Sequence, residues 1–358
     1  MRRLQRVPFA AIALFLCARA ASAQAYDSGN PTADEQYVLE VINRARANPW
    51  AEGRRLGPQG LPNGDITEGL VAPNNQIGVR PPLAMNKILH GTASAHNSDM
   101  YVNNYFAHDT PGGLTPGDRM TAAGYIWQKE GENIAEAIGP NGQTNATAAE
   151  FEDLLMIDTS EAGRGHRLNL LDAYGGTLAT PYFREVGIAY LHENVGNPSG
   201  ATDFLTQDFG IAQTPNDGPF LLGVIYNDAN GNSFYNPGEG ISGITVNIAN
   251  NGGPMLSAFA VSANAGGYVV PIRSLSGNLT ITISGGTLSG PFSTTVALTG
   301  ENVKVDFIIK GSAVTVVTSP TFPPVASSSS KSHHRCGATG MEFVALLAIL
   351  RALRAIRR

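Results

Sequence analysis

From Thr32 the chain reads "TADEQYVLEVINRARANP", in which Val38, Val41, Ile42 and Ala45 recur at the spacing of one helix face. Thr32 with Glu35 three residues on is a capping box at its start, and Asn48-Pro49 stops it. A Gly/Pro/Asn-rich loop fills residues 57–82, and "AMNKILHGTASAHNSDMYVNN" then predicts a second helix. A short third begins with Thr115 as cap and Pro116 at the first helical position. A fourth begins at Thr147, with Glu150 at its third helical position. Two alternating runs, "REVGIAYLH" and "ATDFLTQDFG", follow as a predicted terminal hairpin. Helices first and a hairpin last predict an α+β domain over residues 34–212.

After "TPNDGP" the pattern changes. The short runs "GITVNIA", "GYVVPI", "NLTITIS" and "KVDFII" alternate and are separated by Gly, Ser and Asn. They predict an all-β sandwich over residues 220–311. Residues 312–335, rich in Ser, Thr, Val and Pro, read as a linker. Residues 336–358 combine a short apolar run with four arginines in the last eight positions, too short for an ordinary membrane span.

At the other end, arginines 2, 3 and 6 precede an apolar run and an A-x-A site at residues 21–23. Residues 1–23 thus read as a secretory signal. The two cysteines, Cys17 and Cys336, fall in signal and tail, so the exported body is expected to hold together without a disulfide. The formal charge is −5. Taking away the four arginines of the signal and the net five positive charges from Lys331 onward leaves −14 for the body. So acidic a body argues against nucleic acid as a partner.

Four stretches set unusual polar residues beside apolar ones: "YFAHDTPGG", "GENIAEA", "FEDLLMID" and "GRGHRLNLL". They contribute His108, Glu132, Asp158 and His166. On the helix from Thr147, Phe151, Leu154 and Leu155 mark the buried face and position 158 falls on the same stripe, while Glu152 and Asp153 point to solvent. An acid on a core-facing stripe is costly unless paired or coordinated. His166 stands between Arg164 and Arg167, which disfavours its cation and leaves three roles open: hydrogen-bonded structural residue, metal ligand or base. His96 reads as a core histidine within the second helix, and His90 and His192 as structural. Ser98 and Ser160 lack a nucleophile-elbow context, and no cysteine lies in the body.

The joint order "HNSDM", "YFAHDTPGG", "DRMTAAGY", "GENIAEA", "GHRLNLL", "VGIAY" and "TQDFG" resembles the CAP superfamily, also called the SCP or cysteine-rich secretory protein/pathogenesis-related-1 family, in its bacterial branch. The resemblance implies an α-β-α sandwich with a cleft lined by His108, Glu132, His166 and, on the preceding helix, Asp158. Leu155 and Asp158 replace the family's usual Trp and Glu at the last of these. Relatives carry zinc or magnesium in this cleft, which makes His108 and His166 candidate metal ligands. Some bind sterols or fatty acids, so a lipid or other small apolar ligand, or an envelope partner, is expected. A hydrolase using metal-activated water with Glu132 as base is the alternative. A non-catalytic adhesin is the third.

In the second region, "DANGNSFYNPGE" has the spacing of a twelve-residue calcium loop. Asp228, Asn230 and Asn232 stand at positions 1, 3 and 5, the Phe234 carbonyl at 7, Asn236 at 9 and Glu239 at 12. The surrounding residues resemble the B-type repeat of bacterial surface adhesins, an Ig-like β-sandwich that binds calcium. The tail resembles the C-terminal sorting signals of Gram-negative exported proteins, with Cys336 as the processing position. A basic amphipathic helix lying on the membrane is its alternative. Both readings make the protein exported, periplasmic, outer-surface or extracellular, and bring it to a membrane through its C-terminus.

Overall fold

The computed structural model describes residues 26–138, 146–176, 181–213, 218–250, 257–273 and 275–319, together with the backbone course of 332–335. The expected signal and tail lie outside these residues. Among the described residues no helix is long and apolar enough to cross a membrane.

Helix α1 (Ala33–Ala47) carries the capping box at Thr32, with Asp34 and Glu35 in its first turn and Arg44 and Arg46 in its last, complementing the helix dipole. Asn48 ends α1, and its side chain caps α2 (Pro49–Leu56), where the stop signal Pro49 becomes the first residue of a new helix. The expected second helix begins three residues late. Ala84–Met85 form strand β1, and Asn86 then caps α3 (Lys87–Asn103) through the amides of Ile88 and Leu89. Helix α4 (Pro116–Ala122) and α5 (Ala148–Ile157) start at capping boxes on Thr115 and Thr147. A short α6 (Gly165–Leu170) and strand β2 (Trp127–Ile138) complete what the hydrophobic pattern missed.

Strands β3 (Glu185–His192) and β4 (Ala201–Ala212) pair antiparallel as expected, and β4 also pairs with β2. The sheet order is β1-β3-β4-β2, with the backbone of Ser332–Arg335 running parallel to β2 at its edge. Val186 and Ile188 of β3, Leu205 and Phe209 of β4 and Ala135 of β2 join α1, α5 and α6 in one core. The opposite face lies under α3 and α4. The close packing of α3 is set by Gly187: a Cβ there would fall 1.9 Å from the Leu89 carbonyl carbon. Helices therefore cover both faces of one sheet, an α+β arrangement.

The second unit contains β5 (Phe220–Tyr226), β6 (Thr245–Asn250), β7 (Ser257–Val261), β8 (Gly267–Pro271), β9 (Asn278–Ser284), β10 (Phe292–Ala297), β11 (Val303–Lys310) and β12 (Ala313–Thr318). The expected linker thus begins later than residue 312, because residues 313–318 pair antiparallel with β11. Two four-stranded sheets, β10-β9-β6-β7 and β12-β11-β5-β8, share a core that includes Leu221, Ile225, Ile248, Ile281, Val305 and Phe307.

The outer face of the second sheet is also covered. Phe220, Leu222 and Val269 pack on Ala84 and Tyr26, while Val224, Tyr226, Tyr235 and Ile308 pack on Tyr37. Across this seam Lys304 Nζ pairs with Glu40 of α1 at 2.7 Å and with Asp306. Asn302 donates to the carbonyls of Pro82 and Arg184 at 2.9 and 2.7 Å. The second unit is docked on the first.

Candidate functional site

His108 lies in the loop between α3 and α4. Burial, with the positive charges of Arg119 and His108 next to it, pushes His96 down to about 3, so its ring is neutral. His96 Nε2 donates to the Ala107 carbonyl at 3.0 Å, and Arg119 donates to the His108 carbonyl at 2.6 Å. His96 thus acts as a support for the loop that presents His108.

His108 Nδ1 meets Glu132 Oε1 at 2.7 Å, and Glu132 Oε2 accepts from Arg119. Glu132 is buried in mid-sheet. Burial pushes its carboxyl up to about 7, against the pull of Arg119. Directly opposite on β4 stands Asp208, a residue the sequence analysis missed. It accepts from Thr92 of α3 at 2.5 Å, and burial together with the Glu132 carboxyl pushes it well above the usual carboxylate range. Holding its proton, Asp208 avoids burying a second negative charge opposite Glu132.

Asp158 does not continue α5. It ends the helix in the left-handed region, φ 51°, and turns its carboxylate onto His166 Nδ1 at 2.8 Å and the Arg167 amide at 3.1 Å. Both members of this pair are fully buried. The arginines that flank His166 in sequence face elsewhere. Arg164 binds Glu68, and Arg167 donates to the carbonyls of Met156, Ile157, Ile66 and Glu68. The charged group that meets the His166 ring is the Asp158 carboxylate.

The two histidine–acid pairs are tied together by amides. Asn133 donates to the His166 carbonyl at 3.2 Å and to Gln207 at 3.1 Å, and Asn169 donates to the Glu132 carbonyl at 3.1 Å and to Asn133 at 2.9 Å. Gln207 in turn donates to Glu152 at 2.5 Å. Glu152, expected in solvent, is fully buried, and burial holds it well above the carboxylate range; Asp153 is partly exposed and pairs with Arg55. The four candidate residues are brought together two by two. Among the described residues no group of three or more His, Cys, Asp or Glu is arranged to hold a metal ion.

His90 Nε2 lies 3.4 Å from Glu35, and His192 Nδ1 lies 2.6 Å from Asp203. In the second unit, Asp228 accepts from the amides of Asn232 and Ser233, and Asn230 and Asn232 both donate to Asn236 Oδ1 at 2.8 Å. Glu239 accepts from the amides of Ala229 and Asn236 at 3.0 and 2.8 Å. The five side chains expected in the calcium loop are thus engaged in hydrogen bonds within residues 228–239, and the ring of Phe234, whose expected donor is its carbonyl, turns toward α1.

No family model matches the chain. A 110-residue stretch, 31% of the chain, is 34% identical to "Uncharacterized protein YkwD" of Bacillus subtilis strain 168 and covers 35% of that protein. Among solved structures, a crystal structure of an extracellular protein containing a SCP domain from Bacillus anthracis strain Ames shares 28% identity, over 36% of this chain and 34% of that one, with a TM-score of 0.26. The chain is therefore similar to a Bacillus protein along about a third of its own length, and spans about a third of that relative.

Proposed function

We propose that residues 34–212 are an exported CAP-type module that binds a lipid or other small apolar ligand beside His108, without turning it over. The motif order and the identity with the Bacillus subtilis protein support the family reading. The observation that carries the functional reading is the pairing of each histidine with its own acid. A carboxylate on Nδ1 fixes the orientation and tautomer of an imidazole. The remaining oxygens of these acids go to Arg119 and to the Arg167 amide. The metal reading of His108 and His166 calls on two imidazoles, which suit zinc better than magnesium but fall short of the three protein ligands of a catalytic zinc. Close to His108 in the chain, the partly buried Tyr101, Tyr105 and Phe106 pack on Met100, Ile134 and Phe204, and this aromatic cluster is the surface the reading assigns to an apolar ligand.

One observation favours the hydrolase instead: a carboxyl pushed up to about 7, as Glu132 is, can exchange a proton near neutrality. A fluorescent fatty acid and zinc chloride, each titrated into the full chain and into His108→Ala, separate the two. The binding reading expects fatty-acid affinity to fall about tenfold in the variant, the loss of roughly 1.4 kcal/mol of contact. Stoichiometric zinc uptake lost in the variant overturns it in favour of a metal site.

On the same reading the loop of residues 228–239 takes calcium. Its donors are all oxygens, the chemistry of a hard cation, and two carboxylates place it in the roughly 0.1–1 mM class. Residues 1–23 serve export. The tail from Cys336 serves sorting or attachment at the membrane, which leaves the module at the cell envelope.

A further inference from the structure

The calcium loop does not hang free of the first unit. At its seventh position Phe234 sets its ring edge-on to Tyr37 of α1, 5.9 Å between centroids, with the Arg44 guanidinium 4.4 Å from its centre. At the eighth, Tyr235 is buried, packs edge-on to Tyr226 at 6.0 Å and points its hydroxyl at the Ala33 carbonyl, 3.4 Å away. These two aromatic residues are bracketed by ligand positions. The Phe234 amide donates to Asn232 Oδ1 at 2.8 Å, and the amide of Asn236, just after Tyr235, donates to Glu239. Burial and the carboxylates of Glu40, Asp34 and Glu239 push the Tyr235 hydroxyl up. A 160 Å³ slot lies between α1 and the second sheet, lined by Glu40, Arg44, Phe234, Tyr235, Lys304 and Asp306.

We propose that residues 228–239 form a calcium-set clasp between the two units, in which the cation fixes the backbone of residues 234–235 and so holds Phe234 and Tyr235 against α1. The inference rests on the calcium reading of the loop. In the present arrangement, loop amides occupy oxygens of Asp228, Asn232 and Glu239, and asparagine amides occupy Asn236. A cation that gathers these oxygens changes how the segment between them is held. It also offsets the charge of Glu239 beside Tyr235. Because coupling is reciprocal, docking on α1 tightens calcium binding by the same factor that calcium tightens docking.

The test uses the full chain, with calcium chloride alone as the probe. Calorimetry reads binding, and amide hydrogen exchange with calcium or with chelator reads the α1 amides of residues 33–47. The clasp expects calcium to slow exchange in α1 by about tenfold, within the usual range for coupled sites. Phe234→Ala keeps its main-chain carbonyl, so it still gives a calcium heat, with affinity lowered by about the same tenfold factor, and loses the slowing in α1. Glu239→Gln loses the heat and behaves as the calcium-free chain. Binding with slowing confined to residues 227–240 overturns the clasp and leaves the calcium reading standing. No heat in the wild-type chain overturns both.

Discussion

Replacing Lys304 by methionine tests whether the seam is part of the fold or only a contact. Lys304 is buried, and its ammonium lies between Glu40, which is 3% exposed on α1, and Asp306. The other side-chain partner of Glu40 at the seam is the neutral amide of Gln36, at 2.8 Å. Methionine fills the space of the lysine stem and leaves the Glu40 carboxylate buried without its cation. Breaking a buried ion pair in this way costs about 3–5 kcal/mol. Burial already pushes Glu40 above its ordinary range, with the lysine opposing that rise. In the variant the opposition is gone and the folded carboxyl holds its proton to still higher pH. A group whose folded pKa is raised contributes full stability below its unfolded pKa, about 4.3, and loses it as pH rises through the folded value. The loss caused by Lys304→Met therefore grows from pH 5 to pH 8. Both tryptophans, Trp50 and Trp127, belong to the first unit, so urea unfolding followed by their fluorescence reports on the side opposite the substitution. The expected outcome is a Trp transition shifted to lower urea, more at pH 8, and largely restored in Lys304→Met/Glu40→Gln. An unmoved Trp transition, or an equal shift at both pH values, refutes the reasoning.

Three other substitutions probe the first unit. Gly187→Ala places a methyl 1.9 Å from the backbone of α3 and should cost about 3 kcal/mol by overpacking, read as a lowered Tm. Burial alone pushes Glu136 up to about 7. Its contribution is present below about 4.5 and fades as pH rises through 7, so Glu136→Gln should remove a stability slope on the order of 2 kcal/mol between pH 5 and 8 in urea titrations. Asn133→Ala cuts the bonds to the His166 carbonyl and Gln207 and takes from the Asn169 amide one of its two acceptors, leaving it the Glu132 carbonyl. About 2–4 kcal/mol of stability should go with them, along with fatty-acid binding; unchanged binding would remove the amide bridge from the account of the site.

What could be read from the sequence divides along a physical line. The helix starts at Thr32 and Thr147 are spelled out by glutamates three residues on and that at Thr115 by the cap and Pro116, and all three form, each with a capping box. Strands β3 and β4 keep enough β-branched and aromatic residues to be seen. Strand β2 was not seen, because "WQKEGENIAEAI" carries four charges into a buried strand where nothing local says that they will find partners. Asp208 was missed for a related reason. It faces Glu132 only through the register of β2 on β4, a long-range property that no spacing in the chain records. Position 158 was placed on the helix stripe by periodicity, and the structure reaches the same burial by a different route, a left-handed residue at the helix end. Sequence adjacency does not give the contacts at His166: Arg164 and Arg167 are its neighbours along the chain, their guanidinium groups go to Glu68 and to main-chain carbonyls, and the ring meets Asp158.

The seam between the units had a trace in the sequence that the alternating strands obscured. Strand β9, "NLTITIS", buries every second residue, as a strand with one covered face does. Strand β5, "FLLGVIY", is apolar throughout and buried at all seven positions, so both of its faces must be covered. Leu221 and Ile225 face the core between the sheets, while Phe220, Leu222, Val224 and Tyr226 face the first unit. The two sides of the seam differ in character. The first unit brings mostly the polar Gln36, Glu40, Asn43 and Arg44 of α1, with Tyr26, Tyr37 and Ala84; the second brings mostly the apolar face of β5 with Val269 and Ile308, and the charged Lys304 and Asp306. Separating the units should therefore damage them unequally. A fragment of residues 26–213 should stay soluble with a modestly lowered Tm, while residues 218–319 should self-associate through the bared sheet, since a contiguous apolar patch of this kind seeks a cover. Sedimentation of the two fragments decides the matter. A monodisperse second fragment would mean that the outer face of β5 is stable in water, and the dependence of the fold on its seam would have to be given up.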